Sequence, residues 1–289
     1  MPINDELGKR MKEYYEQVPK TRLVRRMPVA IRLDGKAFHS FTRGFKKPFD
    51  EILIKSMQET MQKLCENIQG CVLGYHQSDE ITLILVDYKK LTSSAFFDYE
   101  VQKVCSIAAS MCTLYFNQRF RTNVNAFFAG KSGEELGEYH KTMCLARDRG
   151  AMFDARCFNI PKEEVCNLIY WRQLDATRNS IQMVGQANFS HKELQNKSCN
   201  QIQDMLMLER GINWNDLPVY QKRGSCCIKS EASTTFANVD EAGNVTTGAI
   251  ERPHWFIDNN IPIFKGEDRE YIDKLIRVDD NCPCKIFIN

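Results

Sequence analysis

Residues 29–35 read Val-Ala-Ile-Arg-Leu-Asp-Gly, the pattern of a β-strand that ends in an acidic residue and a glycine. Apolar and polar side chains alternate along most of this stretch, which is the period of two of a sheet with two different faces. The alternation predicts that Arg32 and Asp34 share one face, while the branched apolar side chains point to the other. A carboxylate at such a position is costly unless a cation or a hydrogen-bond donor satisfies it.

A second acidic residue lies in an equivalent place about forty residues further on. Residues 71–75 and 81–86 form two apolar runs, which we interpret as strands joined by a tight turn at 76–79 that contains Asp79. If these strand ends meet in one sheet, Asp34 and Asp79 lie close together and their repulsion favours Mg²⁺, which takes oxygen ligands and often shares substrate phosphates. Two such ions, roughly 3.5–4 Å apart, suit nucleotidyl transfer because they hold the attacking and leaving oxygens.

The order of predicted elements indicates the fold class. Apolar periodicity predicts helices near 49–69 and 94–118, a strand over 153–160, and a further helix after Pro161. The order strand–helix–strand–strand–helix–strand predicts an α+β fold, a polymerase-palm (ferredoxin-like) antiparallel sheet with helices packed on one face.

The character of the chain changes near residue 225. Short strand-like runs follow around the turn signal at 240–244, with a short terminal helix after a charged segment. We therefore expect a palm-like catalytic domain with its associated helices over 1–225 and a C-terminal accessory extension over 226–289. The polar, glycine-containing stretch 131–137 is predicted to be a loop.

Composition narrows the class of protein. In the 289 residues, 43% are hydrophobic, which is enough for a core, and no apolar run reaches the length of about 18 residues needed for a membrane span. The N-terminus lacks the apolar stretch of a secretory signal, so we expect a cytosolic protein without a membrane partner. The twelve cysteines are scattered through predicted helices and strands, where reduced cysteines act as small apolar residues, and their spacing does not match a zinc site. The net charge of the chain is only +2, which by itself does not indicate a nucleic-acid-binding protein.

The glycine turn after the first strand is the next candidate. The Gly35 carbonyl could be a metal ligand, and the following backbone N–H groups could surround a triphosphate, namely those of Lys36, Ala37 and Phe38. His39 fits a nucleotide contact and a local turn cap equally well. Lys47 and Arg32 are plausible phosphate partners, although exposed basic residues are more often simply solvated.

Two further segments leave alternatives open. Glu80 follows Asp79 directly, and because consecutive strand residues face opposite sides, both reach one metal pair only if the turn is distorted. Glu80 is therefore a weaker candidate than Asp79. A helix over 171–179 carries many polar side chains beside Trp171, so it either faces solvent or lines a polar site.

Taken together, these stretches resemble the tRNA-His guanylyltransferase family. The resemblance is collinear, covers roughly residues 5–229, and rests on motifs that are weak alone but specific in their order and spacing. They are Arg-Leu-Asp-Gly at 32–35 with Phe38-His39, Lys-Pro-Phe-Asp at 47–50, Gln-Ser-Asp-Glu at 77–80, Trp-Arg-Gln-Leu-Asp at 171–175, Gly-Ile-Asn-Trp-Asn at 211–215, and Lys-Arg-Gly at 222–224.

The resemblance implies a palm that works in reverse and adds nucleotides to the 5′ end of tRNA with two Mg²⁺ ions, using ATP and GTP as substrates. In this family a 5′-monophosphate is activated by ATP, or a 5′-triphosphate is used, and the 3′-hydroxyl of the incoming nucleotide attacks the activated end. Members assemble as tetramers, so a homotetramer is expected.

The resemblance also implies site residues. The metal ligands fall on Asp34, the Gly35 carbonyl and Asp79, with Glu80 beside them, and Asp34, Asp79 and Glu80 are the candidate catalytic residues. Nucleotide contacts fall on 34–39, Ser78 and Asp79. Positions associated with phosphate handling carry basic residues, namely Arg32, Lys47 and Lys103.

One departure from the family pattern bears on the substrate. Eukaryotic members carry His-Ile-Asn-Asn-Leu-Tyr-Asn where this chain has Thr-Arg-Asn-Ser-Ile-Gln-Met at 177–183. The chain is more similar to the bacterial guanylyltransferase-like branch, which implies template-dependent repair of 5′-truncated tRNA. A palm-type nucleotide cyclase and a non-catalytic RNA-binding palm are the alternative interpretations.

Overall fold

The structure is a computed structural model that describes residues 5–132, 137–239 and 245–278, with backbone alone over 231–239 and 245–252. Part of the predicted loop at 131–137 and the end of the C-terminal extension therefore lie outside the described residues. No helix among the described residues is long and apolar enough to span a membrane.

Six strands form one antiparallel sheet. Its order is β4-β1-β3-β2-β5-β6, and the strands are β1 (Val29–Gly35), β2 (Cys71–Gln77), β3 (Glu80–Leu85), β4 (Phe153–Asn159), β5 (Ser225–Val239) and β6 (Val245–Asp258). The first four strands in the order 4-1-3-2, with a helix after β1 and another after β3, are the ferredoxin-like arrangement. The predicted α+β palm is therefore confirmed.

Ten α-helices accompany the sheet in the described residues. They are α1 (Glu6–Met11), α2 (Phe38–Phe41), α3 (Glu51–Asn67), α4 (Val101–Phe128), α5 (Glu138–Arg149), α6 (Lys162–Asn188), α7 (His191–Leu194), α8 (Cys199–Arg210), α9 (Val219–Arg223) and α10 (Glu270–Ile276). The helix predicted near 94–118 begins later, at Val101, and continues to Phe128. Its start is delayed because residues 96–99 form a 3₁₀ turn in which Phe97 and Asp98 have positive φ.

Helices α3 and α4 cover one face of the sheet. Helix α3 begins after Asp50, whose carboxylate accepts hydrogen bonds from the amides of Ile52 and Leu53. The apolar side chains of β1 and β3 pack on this side, with Met57 and Met61 of α3 among their partners. This is the face that the alternation in β1 predicts.

The other face of the sheet is also covered, so the expectation of helices on one face was wrong. Ala30, Tyr75 and Ile84 pack against α6, α10 and residues near Phe264 in a second core. The reason lies in β3, which is buried along its whole length and carries apolar side chains on both faces. A third core joins the C-terminal half of α6 to α8 and Trp214.

The segment after residue 225 continues the palm sheet. Strand β5 pairs with β2, with Cys227 opposite Gly74, and Cys226 and Ile228 belong to the second core. The Gln173 side chain of α6 also donates to the Pro262 carbonyl (2.8 Å). The boundary at 225/226 stays a prediction, and the two sides of it share one sheet and one core. All ten cysteines within the described residues are free thiols.

Candidate active site

The two predicted carboxylates lie at adjoining strand ends. Asp34 of β1 is opposite Glu80 of β3, and Asp79 occupies the two-residue turn just before Glu80. Ser78, the other turn residue, has a φ of 52°, which places the chain in the left-handed region there. Asp34 and Asp79 line one cleft of about 550 Å³, a size that suits a nucleotide-sized ligand.

Electrostatics in the cleft favour a cation. Burial and the nearby charge of Asp34 raise the pKa of the Asp79 carboxyl above its ordinary value. Asp34 forms a loose ion pair, with its Oδ2 4.0 Å from Nη2 of Arg156. Asp79 accepts a hydrogen bond from the Ser78 hydroxyl at 3.1 Å. The repulsion between these two carboxylates would be relieved by a bound divalent ion.

The glycine turn that follows β1 forms one wall of the cleft. A Cβ atom on Gly35 would lie 2.1 Å from the ring of Phe38, so only glycine fits beneath that ring. Phe38 is buried, and its ring contacts those of Phe41, Phe116 and Phe153. The position of the turn is thus fixed by the aromatic core.

The backbone of this turn is only partly free for a phosphate. The amide of Lys36 donates to the Met152 carbonyl (2.9 Å), so this structure does not support the prediction that this amide binds a triphosphate. Ala37, with a φ of 53°, lines the cleft together with Phe38 and His39. Nε2 of His39 lies 3.0 Å from the Ser40 hydroxyl, which is compatible with a local role.

Basic residues also line the cleft. Lys47 lines it beside Pro48, which follows a cis peptide bond. The neighbouring Lys46 has its ammonium over the rings of Phe127 and Tyr139, at 5.0 and 4.6 Å from their centres. Lys47 is therefore the better placed of the two lysines for a phosphate.

Glu80 lies beside the cleft and is not among the residues that line it. Its side chain is buried, and Arg172 of α6 donates to both carboxylate oxygens, at 2.7 and 2.8 Å. Arg172 also donates to Asp175 at 2.9 Å. The polar helix segment 171–179 thus lines a polar site with part of its surface, while Trp171 remains half exposed.

Two predicted phosphate contacts have different surroundings. Arg32 lies on the α6 face, with its guanidinium 5.9 Å from the ring centre of Trp171, and its buried Nε has no hydrogen-bond partner within the part of the chain described. Lys103 is paired with Glu100 at 3.8 Å and lies 13 residues before Phe116, the α4 residue that contacts Phe38. At a rise of 1.5 Å per residue this is about 20 Å along the helix, so the structure does not bring Lys103 to the cleft.

Sequence reasoning missed several residues of the site. Asp154 of β4 is directly opposite Asp34, and Arg156 donates to Asp154 at 3.1 Å. The alternation of acidic and basic side chains in β4 was a signal that could have revealed this pair. Met183 and Gln186 of α6 also line the cleft, and no local pattern announces them.

An antiparallel palm sheet that presents two carboxylates at adjoining strand ends, beside a glycine turn and a lysine, defines a palm-type nucleotidyltransferase. The family model described as tRNAHis guanylyltransferase (Thg1) matches residues 8–161, which is more than half of the chain. The chain belongs to the tRNAHis guanylyltransferase family and, as a member, is a nucleotidyltransferase of tRNA processing.

Relatives and solved structures agree with this assignment. The chain is 30% identical over 241 residues to an uncharacterized protein of Acanthamoeba polyphaga mimivirus, covering 77% of this chain and 76% of that protein. It is 26% identical over 211 residues to the tRNA(His) guanylyltransferase of Saccharomyces cerevisiae, covering 68% and 80%. A bacterial tRNA(His) guanylyltransferase (Thg1)-like protein in complex with ATP matches with a TM-score of 0.76 and 39% identity, covering 94% of this chain and all of that one. A GTP complex of such a protein matches with a TM-score of 0.71 and 37% identity, covering 95% of this chain and 100% of that one.

Proposed function

We propose that this protein is a Mg²⁺-dependent 3′–5′ nucleotidyltransferase that repairs 5′-truncated tRNA in a template-dependent way, using a 5′-triphosphate end or a 5′-monophosphate end activated by ATP. The observation that carries the proposal is the presence of Asp34 and Asp79 in one cleft, within a fold whose solved relatives include an ATP complex and a GTP complex.

The donor set fits magnesium. Both carboxylates supply hard oxygen ligands, and Gly35 lines the same cleft. The described residues contain no group of three or more His, Cys, Asp and Glu side chains arranged for a metal. We assign two ions to Asp34, the Gly35 carbonyl and Asp79. Because the described residues supply no larger group of ligands, substrate phosphates and water would complete the coordination shells. When bound, the ions would acidify the attacking hydroxyl and stabilise charge on the leaving phosphate.

The residues of the chain orient the substrates for transfer. The turn that includes Ala37 and His39 and the ammonium of Lys47 would hold the triphosphate of the incoming nucleotide against the cleft wall. Its 3′-hydroxyl then attacks the 5′-phosphorus of the tRNA, and the new bond forms as the bond to pyrophosphate or AMP breaks. Ser78, which donates to Asp79, would keep that carboxylate turned toward the metals.

Template dependence is supported by the segment 177–183. The stretch has no histidine or tyrosine, and the Thr177 and Arg178 side chains bond within α6, whereas the Ser180 hydroxyl accepts from the Trp214 indole. The Thr177 hydroxyl donates to the Gln173 carbonyl at 3.0 Å, and Arg178 is paired with Asp175. Because these two side chains bond within the helix, they offer no dedicated contact that would select one particular base. We therefore propose that pairing with the opposite strand selects the added nucleotide. From the family resemblance we also propose a homotetramer, and from the composition and sequence pattern a cytoplasmic location and an accessory role for 226–289.

The decisive experiment offers each nucleoside triphosphate to 5′-monophosphorylated tRNA, either full-length or truncated by one 5′ nucleotide. We expect efficient addition to the truncated tRNA of the nucleotide that pairs with the 3′ strand, and loss of addition in EDTA. Addition only of G to full-length tRNA-His would refute the repair proposal. A cyclic product from labelled GTP without RNA would identify a cyclase, and RNA binding without any transfer would identify a non-catalytic palm.

The site assignment has its own test. Asp34→Ala should abolish addition while leaving the thermal unfolding transition in place, because the side chain is half exposed and at the cleft wall. Asp204→Ala is a matched control, since Asp204 is exposed on α8 away from the cleft. Activity retained by Asp34→Ala would refute the assignment.

A further inference from the structure

A buried ion pair ties the turn that carries Asp79 to helix α6. Nε of Arg172 is 2.7 Å from Oε1 of Glu80 and its Nη2 is 2.8 Å from Oε2, and each side chain is only 9% exposed. Both oxygens of the carboxylate are therefore occupied in a fork-to-fork geometry, which fixes direction as well as distance.

The pair belongs to a larger network that joins the sheet to the helix. The Thr82 hydroxyl donates to Oε1 of Glu80 at 3.4 Å from the sheet side, and Asp175 accepts from Arg172 on the helix side. Glu80 directly follows Asp79 in the chain and lies opposite Asp34 in the ladder. The backbone of Glu80 therefore connects the turn that carries Asp79 to the strand that carries Asp34.

Helix α6, which carries Arg172, also reaches the cleft with its C-terminal turns. Met183 and Gln186 line the cleft, about three and about four turns beyond Arg172 on α6. The ion pair between Glu80 and Arg172 thus fixes the position of the Asp79 turn relative to the wall of the cleft that α6 forms. If Glu80 left Arg172 to bind a metal, the buried guanidinium would lose two of its three charged hydrogen bonds and keep only the one to Asp175, which is unfavourable.

We propose that Glu80 and Arg172 are positioning residues, which hold Asp79 at its distance from Asp34, and that Glu80 is not a metal ligand. This inference rests on the proposed metal site and specifies how it is organised. It replaces the expectation from sequence, in which Glu80 stands among the ligands.

The test compares Glu80→Gln, Arg172→Gln and the double variant with the unchanged protein. The readouts are Mn²⁺ binding in the presence of GTP, followed by electron paramagnetic resonance, and the Mg²⁺ concentration that gives half-maximal nucleotide addition. We expect each single variant to weaken metal affinity by about tenfold, the range known for groups that orient ligands. The double variant should be no weaker than either single one, because both changes remove the same interaction.

Controls separate positioning from a loss of fold. Arg172→Lys keeps the charge but cannot donate to both oxygens, and we expect it to fold and to show an intermediate metal affinity. Arg178→Gln on the same helix removes an exposed arginine that contacts Asp175 and not Glu80, and it should leave Mn²⁺ affinity unchanged. If the glutamine variants fail to fold, the comparison of Arg172→Lys with Arg178→Gln decides the question.

Three outcomes would overturn the inference. Loss of Mn²⁺ binding in Glu80→Gln with normal binding in Arg172→Gln would make Glu80 a ligand. Losses that add in the double variant would show that the two residues act separately, and normal affinity in all variants would leave the pair without a positioning role. Because Mn²⁺ binding needs no tRNA, failure of the tRNA repair proposal leaves this test intact, whereas absence of Mn²⁺ binding in the unchanged protein would refute the metal site itself.

Discussion

His76 makes the stability of this protein depend on pH in a way that can be measured. The imidazole is buried at the end of β2, and its Nε2 lies 3.0 Å from the Ser78 carbonyl. A carbonyl only accepts, so Nε2 carries the proton and donates, while Nδ1 is buried without a partner among the described residues. Burial lowers the pKa of His76 to about 4, against the opposing effect of the Ser78 carbonyl.

The magnitude follows from proton linkage. Between pH 6.5 and 4 the unfolded chain binds a proton at this histidine and the folded chain does not, so stability falls as the pH is lowered. With pKa values of about 6.5 unfolded and about 4 folded, the loss between pH 7 and pH 5 is about 2 kcal/mol. Asp79 and Glu80 have raised pKa values and act in the opposite direction, since the folded state binds their protons more readily.

His76→Gln isolates the histidine from those carboxylates. Glutamine does not titrate and can still donate to the Ser78 carbonyl, so the variant keeps the hydrogen bond and loses the linkage. Urea unfolding of wild type and of His76→Gln at pH 7 and pH 5 gives their free energies of unfolding. The contribution of Asp79 and Glu80 cancels when the two proteins are compared. We expect wild type to lose about 2 kcal/mol relative to the variant.

A difference between wild type and His76→Gln that does not change between pH 7 and pH 5 would refute this reasoning. It would mean that the folded imidazole is protonated near its ordinary pKa, and therefore that the site is hydrated. The imidazole resonances, followed by NMR through the same range, provide a direct check on the titration.

Three further predictions concern packing and reactivity. Gly35→Ala should lower the unfolding temperature and nucleotide addition together, since its Cβ would force the Phe38 ring out of place at a cost of about 1–3 kcal/mol; unchanged values in calorimetry and the addition assay would contradict this. Burial and the neighbouring Cys105 thiol raise the pKa of Cys157 to about 12, so its alkylation at pH 8 should be far slower in the folded chain than in urea; equal rates by mass spectrometry would count against it. Ser180→Ala should destabilise by about 1–3 kcal/mol in urea because the buried Trp214 indole N–H loses its acceptor at 3.0 Å, and an unchanged midpoint would show that another acceptor replaces it.

The pairing of Asp34 with Asp79 could be predicted because both signals are local. A period of two places Asp34 on a known face, and a short turn places Asp79 at the adjoining strand end. The ferredoxin-like order followed from the same periodicities. Local patterns of this kind are informative because they indicate which face of a strand or helix becomes buried.

Other parts of the site could not be predicted because they depend on contacts between distant segments. Arg172 is 92 residues from Glu80 in the chain, and nothing near either residue announces their pairing. The path of α6 over the second face of the sheet likewise follows from three-dimensional packing. Lys103 shows the converse, since a basic residue at a plausible position in sequence lies at the far end of its helix from the cleft.

The pairing of β5 with β2 has a consequence for any shortened form of this protein. Without β5, β2 would become an edge strand with open backbone groups along Gly74 to His76, next to the buried side chain of Tyr75. Exposed strands of this type pair readily with other chains. A chain cut after residue 225 would therefore be prone to aggregate, and tolerant sites for fusion tags or insertions have to be sought elsewhere on the surface.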